Sequence, residues 1–295
     1  MLTLEHLAGL LENNRAAASA RVQEFHLGGR PFPFNSRPAI LGVINLSADS
    51  WYRESVCLSA PAAIQRGRVL AAQGADIVDV GAESTLARAA RAGERAQKSK
   101  LLPVIKALRA EKILVSVETY SPSVARASLE AGANVLNLTG TASAREVFKL
   151  AAAHDAAVII CHVAGKNVRE VCDLDLRADP VPLLREFFAR QIDVARRAGV
   201  EKILLDPGLG FYYRNLQDSA VRVRHQMNVF LNTFRLRELG FPVCQALPHA
   251  FEFFREEVRC AEPFFAVLAA LGKTDLFRTH EVPRIKAVLE TLKSC

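Results

Sequence analysis

From residue 38 onward the chain repeats one unit: a short apolar run, a polar loop, then a helix-like stretch. The apolar runs are AILGVIN (39–45), DIVDVGA (76–82), ILVSVET (113–119), NVLNL (134–138), AVIICH (157–162), KILLDP (202–207), FPVCQA (241–246) and TDLFR (274–278). Runs this short and this continuous read as strands buried on both faces. Helical stretches between them, such as APAAIQRGRVLAAQGA and SPSVARASLEAGA, imply a parallel sheet covered by helices. Eight units match the count of a closed (β/α)₈ (TIM) barrel. A doubly wound open sheet is the alternative, but it usually has fewer strands, and no glycine-rich dinucleotide fingerprint follows the first run.

The barrel is expected to occupy residues 38–295. Residues 1–37 read as a short N-terminal extension, an amphipathic helix in MLTLEHLAGLLENN and then an irregular segment, LGGRPFPFNSRP, closing the bottom of the barrel. Glu5 and Glu12 interrupt the apolar pattern of that helix, which argues against a signal peptide. No apolar run approaches the ~20 residues that span a bilayer. The six cysteines are scattered without a C-x-x-C pair, as expected of reduced, buried thiols in a cytoplasmic protein. The net charge is +7, but the basic residues are dispersed over helices and none are interleaved with aromatics. A solvated basic face explains this better than a nucleic-acid site.

The apolar strands end in polar groups. The first reaches Asn45, the second Glu83 with Ser84 and Thr85, and the third Glu118-Thr119. The next three reach Asn137, His162 and Asp206, and the last two lead to Gln245 with His249 and to Arg278 with His280. In a barrel these ends converge on one mouth, where active sites are built. Such donors and acceptors suit a planar heterocycle with an amide-like edge. Arg278, His280, Asn45 and the Ser84 and Thr85 hydroxyls form a candidate anion site. Asp79, inside the second strand, reads as part of the barrel's polar layer. His162 fits a core histidine as well as a ligand, and Tyr212 and Tyr213 fit a lid as well as plain surface. No cysteine and histidine spacing marks a structural zinc site.

These segments, taken in order, resemble the dihydropteroate synthase family. ILGVINLSADSW is similar to its first signature and GADIVDVGAEST to its second. SVETY, the asparagine-ending NVLN, ILLDPGLGF and FRTHEV resemble later signatures at natural spacing over about residues 38–290. The resemblance implies a pterin-binding barrel. Its pterin would be held by Glu118, Asn137, Asp206 and, where the family has a lysine, His249. Diphosphate and Mg²⁺ would meet Asn45, Arg278 and His280, with Asn45 the metal contact. Asn45, Asp206, Arg278 and His280 would carry the displacement of diphosphate by p-aminobenzoate. A homodimer through outer helices is also implied, although the helix patterns do not establish it.

The departures from the family pattern are specific. Glu118 stands where the family has an aspartate, and Leu86 where it has an anion-binding arginine, with Arg88 or Arg91 as candidate replacements. The family's S-R-K-S becomes Leu247-Pro248-His249-Ala250. Three readings follow: a synthase-type transferase that condenses a dihydropterin diphosphate with an arylamine such as p-aminobenzoate, an altered acceptor or reduced activity being its variant, a non-catalytic or regulatory pterin binder, or a pterin-dependent methyltransferase. The Arg278-x-His280 pair argues against the last, which needs no diphosphate site.

Overall fold

The computed structural model describes residues 1–50, 52–85, 89–170 and 172–294. Helices α1 (Leu4–Glu12) and α2 (Arg15–Ala18) precede a hairpin of strands β1 (Phe25–Leu27) and β2 (Arg30–Phe32). The strands β3 (Ala39–Asn45), β4 (Ile77–Gly81), β5 (Val115–Thr119) and β6 (Val135–Leu138) follow. They alternate with α3 (Ala60–Gln73), α4 (Glu94–Ala110), α5 (Pro122–Glu130) and α6 (Ala144–Ala153). The second half runs β7 (Ala157–Cys161), α7 (Val181–Arg197), β8 (Ile203–Asp206), α8 (Ser219–Leu236) and β9 (Cys244–Ala246). It ends with α9 (Phe251–Phe254), α10 (Ala261–Leu271), β10 (Leu276–Thr279) and α11 (Val282–Leu292).

All eight strands from β3 to β10 are parallel, in the order β8-β7-β6-β5-β4-β3-β10-β9. A bridge between Leu205 and Val243, with Leu205 N–H donating to Pro242 O at 2.9 Å, joins the two ends and closes the expected TIM barrel.

Side chains alternate along each strand, so each strand feeds two cores. Ile40, Ile44, Val78, Val80, Leu136 and Leu205 pack against the helices. Leu41, Val43, Ile77, Val135, Ile159, Leu204 and Leu276 fill the barrel interior. The lower end of that interior is stoppered by Phe25, Phe32 and Phe34, whose ring centroids lie 5.3–6.3 Å apart. These rings come from the extension, where the sequence reading expects irregular chain and the structure has a hairpin. Gly28 and Gly29 take φ of +53° and +80°. Two adjacent left-handed residues are what a tight hairpin turn requires, so the Gly-Gly pair was the missed signal.

Towards the C-terminal ends of the strands the interior turns polar. Asp79 and Ser116 lie one layer above the apolar filling, and Glu118, Asn137, Asp206 and Arg278 continue from them. Cys57, Cys161 and Cys244 are buried free thiols, as expected, but Cys172 is half-buried and Cys260 is exposed. No helix among the described residues is long and apolar enough to cross a membrane.

Candidate active site

The polar layer opens into a cleft of about 270 Å³ at the barrel mouth. It is lined by Asn45, Ser84, Thr85, Glu118, Asn137, Asp206, His249, Arg278 and His280, every site residue expected from the sequence.

Asp79 organises the base. It is fully buried and accepts from Ser116 Oγ at 2.6 Å, Asn137 Nδ2 at 3.2 Å and Arg278 Nε at 2.9 Å. Asn137 Oδ1 accepts from the Cys161 thiol at 3.1 Å. Arg278 also donates through Nη2 to Glu118 Oε2 at 2.6 Å. Burial works against its charge, but Asp79 and Glu118 hold its pKa above the usual arginine value. The expectation of a guanidinium free to grip an anion needs amending, because two carboxylates already neutralise it. Burial pushes the Glu118 carboxyl up to about 7, with Arg278 opposing the rise.

Asp206 ends β8 and is 3% exposed. Its Oδ1 accepts from Gly208 N–H at 2.7 Å. No hydrogen bond to its Oδ2 is formed among the described residues, and Asp206 lines the cleft. Asp206 therefore caps the βα turn and still presents an acceptor. Burial pushes its pKa up to about 6. Gly208 makes the turn possible. Its φ is +79°, and a Cβ there would lie 2.2 Å from His162 O. His162 itself is 6% exposed and burial lowers its pKa to about 4, the behaviour of a core histidine.

Asn45 donates through Nδ2 to Ser50 Oγ at 2.9 Å and to Ser55 Oγ at 2.6 Å. This fixes the amide and leaves Oδ1 without a partner among the described residues. Ser84 Oγ donates to Asp49 O at 3.3 Å, and Thr85 lies on the cleft wall. Leu86 and Arg88 lie outside the described residues, and Arg91 is not among the described lining. Arg169 is buried beneath this loop, donating to Ser84 O at 2.8 Å and Ala89 O at 2.6 Å.

The opposite rim holds an arrangement that the sequence reading missed. Glu262, in the first turn of α10, is wholly buried. His280 Nδ1 lies 2.8 Å from Glu262 Oε1, and His249 Nε2 lies 3.2 Å from the same oxygen. Burial alone would raise the Glu262 pKa, but the two adjacent imidazoles hold it well below the usual value. Tyr52 packs on both rings at centroid distances of 4.8 and 4.9 Å. One acid in the apolar run AEPFFAVLAAL was the available signal for Glu262. His249 immediately precedes a strained residue, since Ala250 takes φ +43°, a conformation costly for a residue with a Cβ.

A family model described as "Pterin binding enzyme" matches residues 41–244. The dihydropteroate synthase of Synechocystis is 30% identical over 268 residues, 87% of this chain and 89% of that protein. This chain belongs to the dihydropteroate synthase family of pterin-binding enzymes. The family member from Clostridium beijerinckii is 32% identical over 224 residues, 74% of this chain and 76% of that one. A solved dihydropteroate synthase from Xanthomonas albilineans with 4-aminobenzoic acid superposes with a TM-score of 0.76 at 27% identity, covering 92% of this chain and 97% of the other. That from Thermus thermophilus in complex with 4-aminobenzoate gives 0.74 at 26%, covering 92% and 99%. Within a dihydropteroate synthase barrel, the pairing of Glu118 with Arg278 and the His249–Glu262–His280 cluster are the features that need a local account.

Proposed function

We propose that the cleft binds a dihydropterin diphosphate and joins its methylene carbon to the nitrogen of an arylamine. The observation that carries this reading is the buried Asp206, with one oxygen fixed by Gly208 and the other unpartnered beside Asn137 and Glu118. Such a group accepts from the N–H edge of a pterin in a dry pocket, where a charge-assisted bond is strongest. In the reaction the bond from the methylene carbon to the diphosphate oxygen breaks, a carbon–nitrogen bond forms, and the amine proton leaves to solvent.

Charge is the harder requirement. Among the described lining residues, Glu83, Glu118, Asp206 and Glu252 are acidic, and besides the imidazoles of His249 and His280 the basic side chains are Arg222 and Arg278. Both arginines are paired, Arg222 with Glu252 at 2.6 Å and Arg278 with Asp79 and Glu118. A departing diphosphate therefore needs a cation from elsewhere. The free Asn45 Oδ1, set by two serine hydroxyls, fits the hard oxygen ligand that Mg²⁺ takes while keeping most of its waters. Bound there, Mg²⁺ would neutralise charge on the leaving group. Asn45 would hold it, His280 and Thr85 would face the anion, and Asp206 and Asn137 would orient the ring.

The acceptor side differs from the resemblance. Leu247 and Ala250 are buried and offer no side-chain hydrogen bond, and His249 is turned towards Glu262. The acceptor is an arylamine such as p-aminobenzoate, held here with fewer side-chain contacts than the resemblance implies. A diphosphate-release assay with a panel of arylamines tests the reading. Release that depends on one of them supports a transferase, whereas tight pterin binding with no release under any acceptor leaves the non-catalytic binder.

A further inference from the structure

We propose that His249, Glu262 and His280 form a binding site for a divalent cation of the Zn²⁺ class, with its open coordination positions facing the cleft. One ligand-type atom from each residue lies within 4.8 Å of the other two. Two of the three separations are 2.8 and 3.2 Å. Metal–ligand bonds of about 2.0–2.2 Å place neighbouring ligand atoms about 3.0–3.5 Å apart, so the His249–Glu262 spacing already suits one ion, while the 2.8 Å His280 contact must open slightly and the third separation must fall within that range for all three to share it.

Three features favour a ligand set over an ordinary polar cluster. His249 Nε2 is buried and makes no hydrogen bond, although Glu262 Oε1 is only 3.2 Å away. The two atoms approach off the line a shared proton needs, as ligands of one centre do. The carboxylate is also aimed from behind. Its Oε2 accepts from the Thr279 hydroxyl and from the backbone N–H groups of His280 at 3.0 Å and Glu281 at 3.2 Å, which turns Oε1 towards the imidazoles. Outer contacts of this kind orient metal ligands. Tyr52, lying against both rings, fixes their planes.

The position fits an open site. His249 and His280 line the cleft while Glu262 stays behind them, so protein covers one side of the ion and the pocket the other. Two imidazoles and one carboxylate suit Zn²⁺, Co²⁺ or Fe²⁺ better than Mg²⁺, which prefers oxygen. The set is thus chemically distinct from the Asn45 oxygen. It also answers the charge deficit of the cleft, because His249 stands where the family resemblance puts a lysine. A bound ion there returns a positive charge that the substitution removed. That link to a leaving anion rests on the function proposed above; the metal site itself does not.

The test uses the full chain, stripped of metal with a chelator and titrated with Zn²⁺ alone in a calorimeter, without pterin. We expect one Zn²⁺ per chain at micromolar affinity or tighter. His249→Asn and His280→Asn should each weaken it by at least about tenfold, while Asn45→Ala leaves it unchanged. Cobalt(II) should give visible d–d bands that His249→Asn removes and that a pterin diphosphate perturbs. Two histidine variants keep the test standing if one misfolds. A stripped chain that takes up no Zn²⁺, or variants that both take it up as tightly as the wild type, overturns the site and shows a hydrogen-bonded cluster only. Zinc binding without any pterin binding would preserve the site and fail the functional reading instead.

Discussion

Glu118 Oε2 and Arg278 Nη2 lie 2.6 Å apart across the barrel mouth, and this contact sets the charge the cleft shows a ligand. The family resemblance places an aspartate at this position. The extra methylene of glutamate carries the carboxylate to the guanidinium, whose Nε is already held by Asp79. The strongest cation of the site is thereby neutralised from inside the barrel.

Removing that cation should unfold the base of the site. Arg278→Met leaves Asp79 and Glu118 buried without their partner, and breaking a buried ion pair costs about 3–5 kcal/mol. Urea denaturation should show a loss of that size, and a much smaller loss for Glu118→Gln, which keeps an acceptor. Equal, small losses for both would mean that the pair contributes little.

The acid side of the cleft should respond to pH. Burial raises Asp206 from 3.8 to about 6 and Glu118 from 4.5 to about 7. A carboxyl with a raised pKa binds its proton more tightly when folded, so its stabilising contribution is full below the unfolded value and fades as pH rises through the folded one. The ligand-free chain should therefore lose stability between pH ~4 and ~7, and Asp206→Asn should flatten part of that slope. Pterin affinity should rise over the same window as the acceptor ionises. Urea midpoints and titrations at several pH values check both trends.

Gly208 is expected to tolerate no side chain. A Cβ 2.2 Å from the His162 carbonyl adds a clash to a left-handed backbone that alone costs about 1–3 kcal/mol. Gly208→Ala should lower thermal stability and weaken pterin binding together, because Gly208 N–H holds Asp206. A variant of wild-type stability and affinity would show that the turn is freer than the contacts indicate.

The acceptor pocket should discriminate against p-aminobenzoate. Placing an acceptor in attack geometry can supply roughly 7–11 kcal/mol of barrier lowering, and Leu247, Pro248 and Ala250 give its carboxylate nothing to hold. Diphosphate release with p-aminobenzoate should be slow, and sulfonamides should not compete with pterin binding. Brisk turnover blocked by a sulfonamide would contradict this.

Strand positions were legible because each apolar run had to fill one pleat, and the polar residue ending it had to stand at the mouth. Asp79 was legible for the same reason, as a charge inside a strand with no other place to go. The hairpin at Gly28-Gly29 was there to be read and was passed over, since three-residue strands carry almost no periodic signal. Partnerships across the barrel were not legible. Nothing local to Arg278 announces that Glu118, 160 positions away, reaches it. Glu262 looked like one acid on an apolar helix until the fold set it between two histidines. Such pairings depend on strand register and side-chain length together, which the chain order does not display.

The central claim is that the barrel mouth binds a pterin diphosphate through Asp206, and calorimetric titration of that compound into the wild-type chain and into Asp206→Asn measures it directly. The account predicts one site per chain in the wild type. In the folded variant affinity should fall by about ten- to a hundredfold, the loss of one buried charge-assisted hydrogen bond of about 1.5–3 kcal/mol. No binding to the wild-type chain, or equal affinity in the two proteins, would contradict it.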